Sequence, residues 1–240
     1  IAEVATFLVP LMGSIYFGAM LIALTLNLDQ VFPAFKLILI DAFNGTAIAG
    51  GTFFGVLIYG VRRGAFSNEA GMGTESLVHG VAKVSDPVKQ GLVAMTGPIF
   101  DTLIICTATA LMILISGVWE TSASQGVTLT AEAFSMLLGN FGGFILFICV
   151  TCFGLSTIFT YSYYGASCSR FLFGKFGMKF YIYLYILSIF IYSIVPIDIA
   201  INIADGAFAM MAIPTLVSAL WLAPKVMQAS KKYFKLIDNY

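Results

Sequence analysis

Six apolar runs, each long enough to cross a lipid bilayer, leave this chain almost no way to fold in water. They cover residues 4–26, 35–59, 92–119, 141–173, 180–197 and 203–227, and about 20 predominantly apolar residues suffice for one crossing. Only 10% of the side chains are charged, against about 25% in an ordinary soluble domain, so polar groups cannot coat a core of this size. The fold class is therefore an all-α polytopic membrane protein, a single transmembrane domain over residues 1–240. The chain opens on Ile1 with no signal-peptide pattern, and the expectation is a fragment that lacks an N-terminal part.

Composition removes several function classes. The 12 basic and 12 acidic residues cancel, so no cationic field points to nucleic acid. His79 is the single histidine, which excludes a bis-His haem or a three-His zinc site within the chain. Cys149 and Cys152 have a CxxC spacing, but no second pair completes a metal site, and packing inside membrane helices is the reading for all four cysteines.

The basic residues orient the runs. Arg62, Arg63, Lys83 and Lys89 lie between the second and third runs, and Arg170, Lys175 and Lys179 between the fourth and fifth. Lys225, Lys231, Lys232 and Lys235 follow the sixth, and only Lys36 lies on the other side. The positive-inside rule therefore makes those three segments cytoplasmic, including the segment 60–90 between the second and third runs. Loops at 27–33 and 120–130 then face outward. Residues 131–138 read as a short helix lying on the outer surface, and the fourth run, longer than one crossing needs, must tilt or project into water.

The second run is interrupted. NGTAIAGGTFFG places Asn44, Gly45, Thr46, Gly50 and Gly51 in mid-span, and each glycine weakens a helix by roughly 1 kcal/mol against alanine. One reading is a broken helix whose freed carbonyls bind a cation or an ammonium group and whose second half-helix faces a carboxylate. The other is close helix packing, for which Gly51 and Gly55 have the GxxxG spacing. The run then leads into the polar, glycine-rich stretch GVRRGAFSNEAGMGTE at residues 60–75.

Two further features carry chemistry. Asp101 sits about nine residues into the third run, near mid-membrane, where an acid costs about 2.5–3.5 kcal/mol on insertion scales. It reads as an ion ligand, as a brace for the broken helix, or as a structural acid bonded to backbone amides. Pro98 just before it suggests a kink. Asp41 stands just ahead of the break, either bonding its freed amides or in the outer vestibule, and Asp198 and Asp205 read as solvated near the outer surface. Ser156 and Thr157 are adjacent hydroxyls in the fourth run. With a carbonyl one turn earlier they can form part of a sodium shell, since a hard cation prefers oxygen. Alternatively each hydroxyl bonds a carbonyl of its own helix.

These stretches together resemble a known family. RRGAFSNEAGMGTESLVHGVAK, then DPVKQGLVAMTGPIFDTLIICTATALMIL, is similar to the alanine or glycine:sodium symporters, the amino acid carrier proteins. AFNGTAIAGGTFFG, STIFTYSYYG with CSRFLFG, and ADGAFAMMAIPT fit in the same order, so the resemblance covers nearly the whole chain. Thr74, Glu75 and Thr215 depart from the pattern, which has small residues at the first two positions and asparagine at the third.

The resemblance implies a LeuT-type inverted-repeat transporter, of which this chain would hold about core helices 5–10. It makes the break the substrate wall, with carbonyls near Phe43, Asn44, Gly45 and Thr46 for the ammonium group. Phe43, Thr46, Ala49, Gly50 and Gly51 would shape a small pocket. It makes Ser156, Thr157 and the Phe153 carbonyl part of a sodium site, and Arg62, Arg63, Asn68, Glu69 and Asp101 gate or brace residues. The implied function is sodium-coupled symport of a small neutral amino acid, alanine or glycine, by alternating access across a bacterial cell membrane. No cofactor beyond the coupling ion and no nucleic acid partner are expected. Proton coupling is the alternative. A channel would need a continuous polar lining, and an intramembrane enzyme would need a partner for Ser156 or Asp101 at depth, which His79 in the cytoplasmic segment does not offer. A purely structural membrane subunit fits the SNEAG stretch poorly.

Overall fold

A computed structural model describes residues 2–43, 55, 57, 58, 60, 61, 64, 69 and 71–237, and every described element is helical. The helices are α1 (Ala2–Leu26), α2 (Leu28–Phe43), α3 (Thr74–His79), α4 (Pro87–Ala94), α5 (Thr107–Ser116), α6 (Val118–Thr121), α7 (Val127–Leu138), α8 (Asn140–Tyr192) and α9 (Ile197–Ile237), with a π-helical segment at Ile99–Cys106. Among the described residues four stretches are long and apolar enough to cross a membrane: Leu8–Leu26, Pro87–Ser116, Asn140–Tyr192 and Ile199–Leu236. The coarse expectation of an all-helical polytopic membrane protein therefore stands.

Contacts divide the chain into two units, one of residues 1–59 and 102–163, the other of 60–101 and 164–240. In the first unit α1 presents Ala19, Met20 and Ala23, buried to 5% exposure or less, to Ala108 and Met112 of α5, Phe134 of α7 and Leu146 of α8. The spacing of 19, 20 and 23 is one helical face. The alanines let neighbouring backbones approach, which matters in lipid, where apolar contact alone gives no advantage over the acyl chains. Tyr16 stacks on Phe134 at 5.4 Å between ring centroids, and its hydroxyl hydrogen-bonds the Thr109 hydroxyl at 2.8 Å. The Cys149 thiol points at the Met12 carbonyl, 3.8 Å away.

Two expectations change here, and the kink expected at Pro98 takes a definite form. The outward loop expected at 27–33 is helical from Leu28 on. Asn27 alone separates α1 from α2: its side-chain amide donates to the Ala23 carbonyl at 2.8 Å, closing α1, while its own carbonyl accepts from Gln30 N at 3.0 Å, opening α2. The surface helix expected at 131–138 starts earlier, at Val127, and belongs to the core, with Ala133 and Phe134 fully buried. Its approach to α8 is possible because a Cβ on Gly142 would collide with the Phe134 carbonyl. The third run is not one continuous α-helix. Pro98 has no N–H to donate, α4 ends at Ala94, and the chain resumes through a turn and the wider π register before α5.

In the second unit Gly174 governs the shape of α8. Its φ of 67° and ψ of −157° are not helical, and such values are essentially confined to glycine. Gly165 lies directly against the Tyr181 ring, so close that a Cβ would collide with it. Residues sixteen apart in a straight helix would be about 24 Å apart. The chain therefore turns back at Gly174, and the two arms of α8 pack on each other. α3 packs on α4, and α4 on α9.

Candidate functional site

Several residues singled out in the sequence lie outside the described residues: Asn44, Gly45, Thr46, Ala49, Gly50, Gly51, Arg62, Arg63 and Asn68. Phe43 is described as the last residue of α2, by its backbone. The remaining ones fall in two places, one in each unit.

In the first unit, Ser156 is 8% exposed, whereas Thr157 beside it is exposed. The Ser156 hydroxyl donates to the Phe153 carbonyl at 2.8 Å, and the Thr160 hydroxyl donates to the Ser156 carbonyl at the same distance. Two of the three oxygens suggested for sodium are thus already adjacent, joined by a bond within the helix. The lone pairs of the Ser156 hydroxyl and the second lone pair of the Phe153 carbonyl remain chemically suited to a hard cation. The same bond is also what a hydroxyl in a membrane helix makes for its own satisfaction.

In the second unit, Glu69 and Asp101 line one cavity of about 490 Å³, together with Glu75, His79, Thr96 and Tyr164. Asp101 is half-buried in the first turn of the π segment, and Tyr164 is buried. Glu69 has a φ of 54°, a left-handed conformation in a residue other than glycine, which costs of order 1–3 kcal/mol and persists only where its surroundings hold it. Gly71 and Gly73 follow with φ of 80° and 92°. A Cβ on Gly73 would stand 2.8 Å from the Thr215 hydroxyl, which itself donates to the Met211 carbonyl at 2.8 Å. This glycine-rich turn thus lies directly on α9, and Met72 and Thr74 are buried beneath it. Two of the departures noted in the sequence, Thr74 and Thr215, consequently flank the same glycine.

His79 joins α3 to α4. The Gln90 side-chain amide lies 2.7 Å from its Nδ1, and Glu75 Oε1 lies 3.8 Å from its Nε2, one turn earlier on α3. With the amide donating to Nδ1, the ring proton sits on Nε2, toward the carboxylate. Asp86 then caps α4 by accepting from Val88 N at 2.8 Å, ahead of Pro87 in the first turn. The sequence reading separated His79, in a cytoplasmic segment, from Asp101, at depth. In the fold both line one cavity. Glu75 and His79 share this cavity with Asp101, and their spacing of four on a short helix is a signal for their own pairing.

Among the described residues no cluster of histidine, cysteine, aspartate or glutamate has metal-holding geometry. The family model for sodium:alanine symporters matches residues 1–239. The chain belongs to the sodium:alanine symporter family. It is 35% identical over 242 residues to the sodium/alanine symporter AgcS of Methanococcus maripaludis, an alignment covering all of this chain and 53% of AgcS. It is 29% identical to the amino-acid carrier protein AlsT of Bacillus subtilis, covering 98% of this chain and 50% of AlsT. It is 32% identical to the sodium/proton-dependent alanine carrier protein of Bacillus sp. strain PS3, covering 68% of this chain and 40% of that carrier. The chain spans about half the length of these relatives. The family is one of symporters and not of enzymes.

Proposed function

We propose that this chain forms part of a sodium-coupled symporter for a small neutral amino acid, alanine or glycine, in a cell membrane. The observation that carries the reading is the family match along residues 1–239. The fold we infer is the LeuT type, with this chain contributing about core helices five to ten. In that reading α2 leads into the substrate wall, where carbonyls near Phe43 to Thr46 receive the substrate ammonium and Ala49, Gly50 and Gly51 leave room for a small side chain.

Sodium is held by the Ser156 and Thr157 hydroxyls and the Phe153 carbonyl, completed by a neighbouring helix. The existing 2.8 Å approach of Ser156 Oγ to the Phe153 carbonyl supports this, because it already brings two hard oxygens to one side of the helix. Glu69 and Asp101, on one cavity of the second unit, act with Arg62, Arg63 and Asn68 at the inner gate. One charge entering through 100 mV releases about 2.3 kcal/mol, roughly a fifty-fold gain in solute accumulation. No covalent step is involved.

The test is Ser156→Ala combined with Thr157→Ala in the protein at its natural full length, reconstituted in liposomes. The sodium concentration for half-maximal alanine uptake should rise about tenfold or more, as expected for loss of hydrogen-bond-strength interactions with a charge, while the amount of folded protein is unchanged. An unaltered sodium dependence would return both hydroxyls to bonding their own helix. Proton coupling is the second reading. The His79–Glu75 pair at 3.8 Å is the feature that favours it, and uptake that follows a pH gradient in sodium-free buffer would establish it.

A further inference from the structure

The C-terminal part of α9 is longer than a membrane crossing requires. The helix runs Ile197–Ile237, which at 1.5 Å per residue is about 62 Å, roughly twice the thickness of the hydrocarbon layer. Its apolar run ends near Met227, and from Pro224 onward the composition changes. Lys225, Lys231, Lys232 and Lys235 enter, and no acidic residue occurs between Asp205 and Asp238. At 100° per residue these four lysines, with Gln228, fall within a sector of about 120°. Val226, Met227, Tyr233 and Phe234 occupy a sector of similar width on the opposite side. Val226 is 63% exposed, Met227 59% and Phe234 45%. The Tyr233 and Phe234 rings meet edge to face at 5.5 Å.

A helix of this kind has a cationic strip and an aromatic-aliphatic strip, and it continues directly from a membrane span. A purely solvated extension would not place apolar side chains on one side. A contact with an acidic protein would leave the apolar strip uncovered. The surface that matches both strips at once is the interface of the bilayer that the span itself crosses, with acyl chains beneath and negative headgroups beside them. Pro224 lies at the junction, where loss of one backbone hydrogen bond permits a bend.

We propose that residues 224–237 dock on the membrane surface as an amphipathic helix, lysines on anionic lipid headgroups and Val226, Met227, Tyr233 and Phe234 in the interface. The proposal rests on the membrane setting of α9 and not on the transported solute.

The test is hydrogen–deuterium exchange of the intact protein in nanodiscs of phosphatidylcholine alone or with phosphatidylglycerol added. Amides of 226–237 should exchange more slowly in the anionic discs, and raising the salt concentration should remove the difference. Each Lys→Gln change among the four should lower the added protection about fivefold, the effect expected for one charge near an anionic surface. Equal exchange in the two lipids overturns the proposal. So does slow exchange that survives neutralisation of all four lysines, because another part of the protein or a second copy would then cover the segment. The wild-type comparison between lipids and salts decides the matter even if the fourfold variant does not fold.

Discussion

Ser156 shows how little separates a structural hydroxyl from a ligand in a membrane helix. Its bond to the Phe153 carbonyl at 2.8 Å satisfies both groups without an ion and also keeps two oxygens side by side. Gly73 is less ambiguous. With φ at 92° and the Thr215 hydroxyl 2.8 Å from where a Cβ would stand, Gly73→Ala should destabilise the protein by about 1–3 kcal/mol. Thermal unfolding in detergent would register this as a lower Tm. Gly73→Ala combined with Thr215→Ala should recover the part due to collision and not the part due to φ.

Glu132 offers a pH test outside the spans. Hydrogen bonds from Ser122 and then Ser124 hold its carboxyl below the usual glutamate range, the latter through a 2.7 Å contact from Ser124 Oγ. Because the folded value is depressed, the stabilisation is present above the unfolded value and is lost as pH falls through the folded one. Ser122→Ala with Ser124→Ala should shift Glu132 back toward its ordinary value, as measured by carboxyl NMR titration. The variant's stability should then depend less on pH in that acid window.

At the scale of elements, Gly174 is the most consequential position. Gly174→Ala puts a side chain into a backbone conformation that essentially only glycine adopts, and the turn between the arms of α8 should suffer before either arm does. Cysteines introduced at 165 and 181, in a background without the four native ones, should cross-link in the wild-type turn and fail to in Gly174→Ala. Efficient cross-linking in both would show that the turn does not depend on this glycine.

This turn was legible only in part. The two apolar runs at 141–173 and 180–197 bracket it, but nothing in the periodicity says that Gly174, rather than Gly177, takes the left-handed conformation. α7 was misread for a related reason. Its residues 131–138 look like a surface helix because charge and polarity lie just before them, whereas burial of Phe134 depends on Tyr16 and Ala19, more than a hundred residues away. Pro98 did announce a disturbance in the third run, but the switch to a π register follows from where the neighbouring carbonyls find partners, and spacing alone does not carry that. Glu69 and Asp101 were legible individually as charges out of place. Their meeting on one cavity with His79 required the fold.

For the whole molecule, what the sequence carried best was its class. A chain so poor in charge, with basic residues confined to alternate segments, has to be a polytopic membrane protein, and the order of its motifs matched one family along its length. The structure adds two separately packed units, with a suggested ion site in the first and an acidic cavity in the second. The central claim is that sodium entry drives amino acid uptake. Its most direct measurement is the level of labelled alanine inside liposomes containing the protein at its natural full length, under an inward sodium gradient. Accumulation above the external concentration, collapsed by a sodium ionophore, is the result expected. Uptake that only equilibrates, or that proceeds equally with choline in place of sodium, would contradict it.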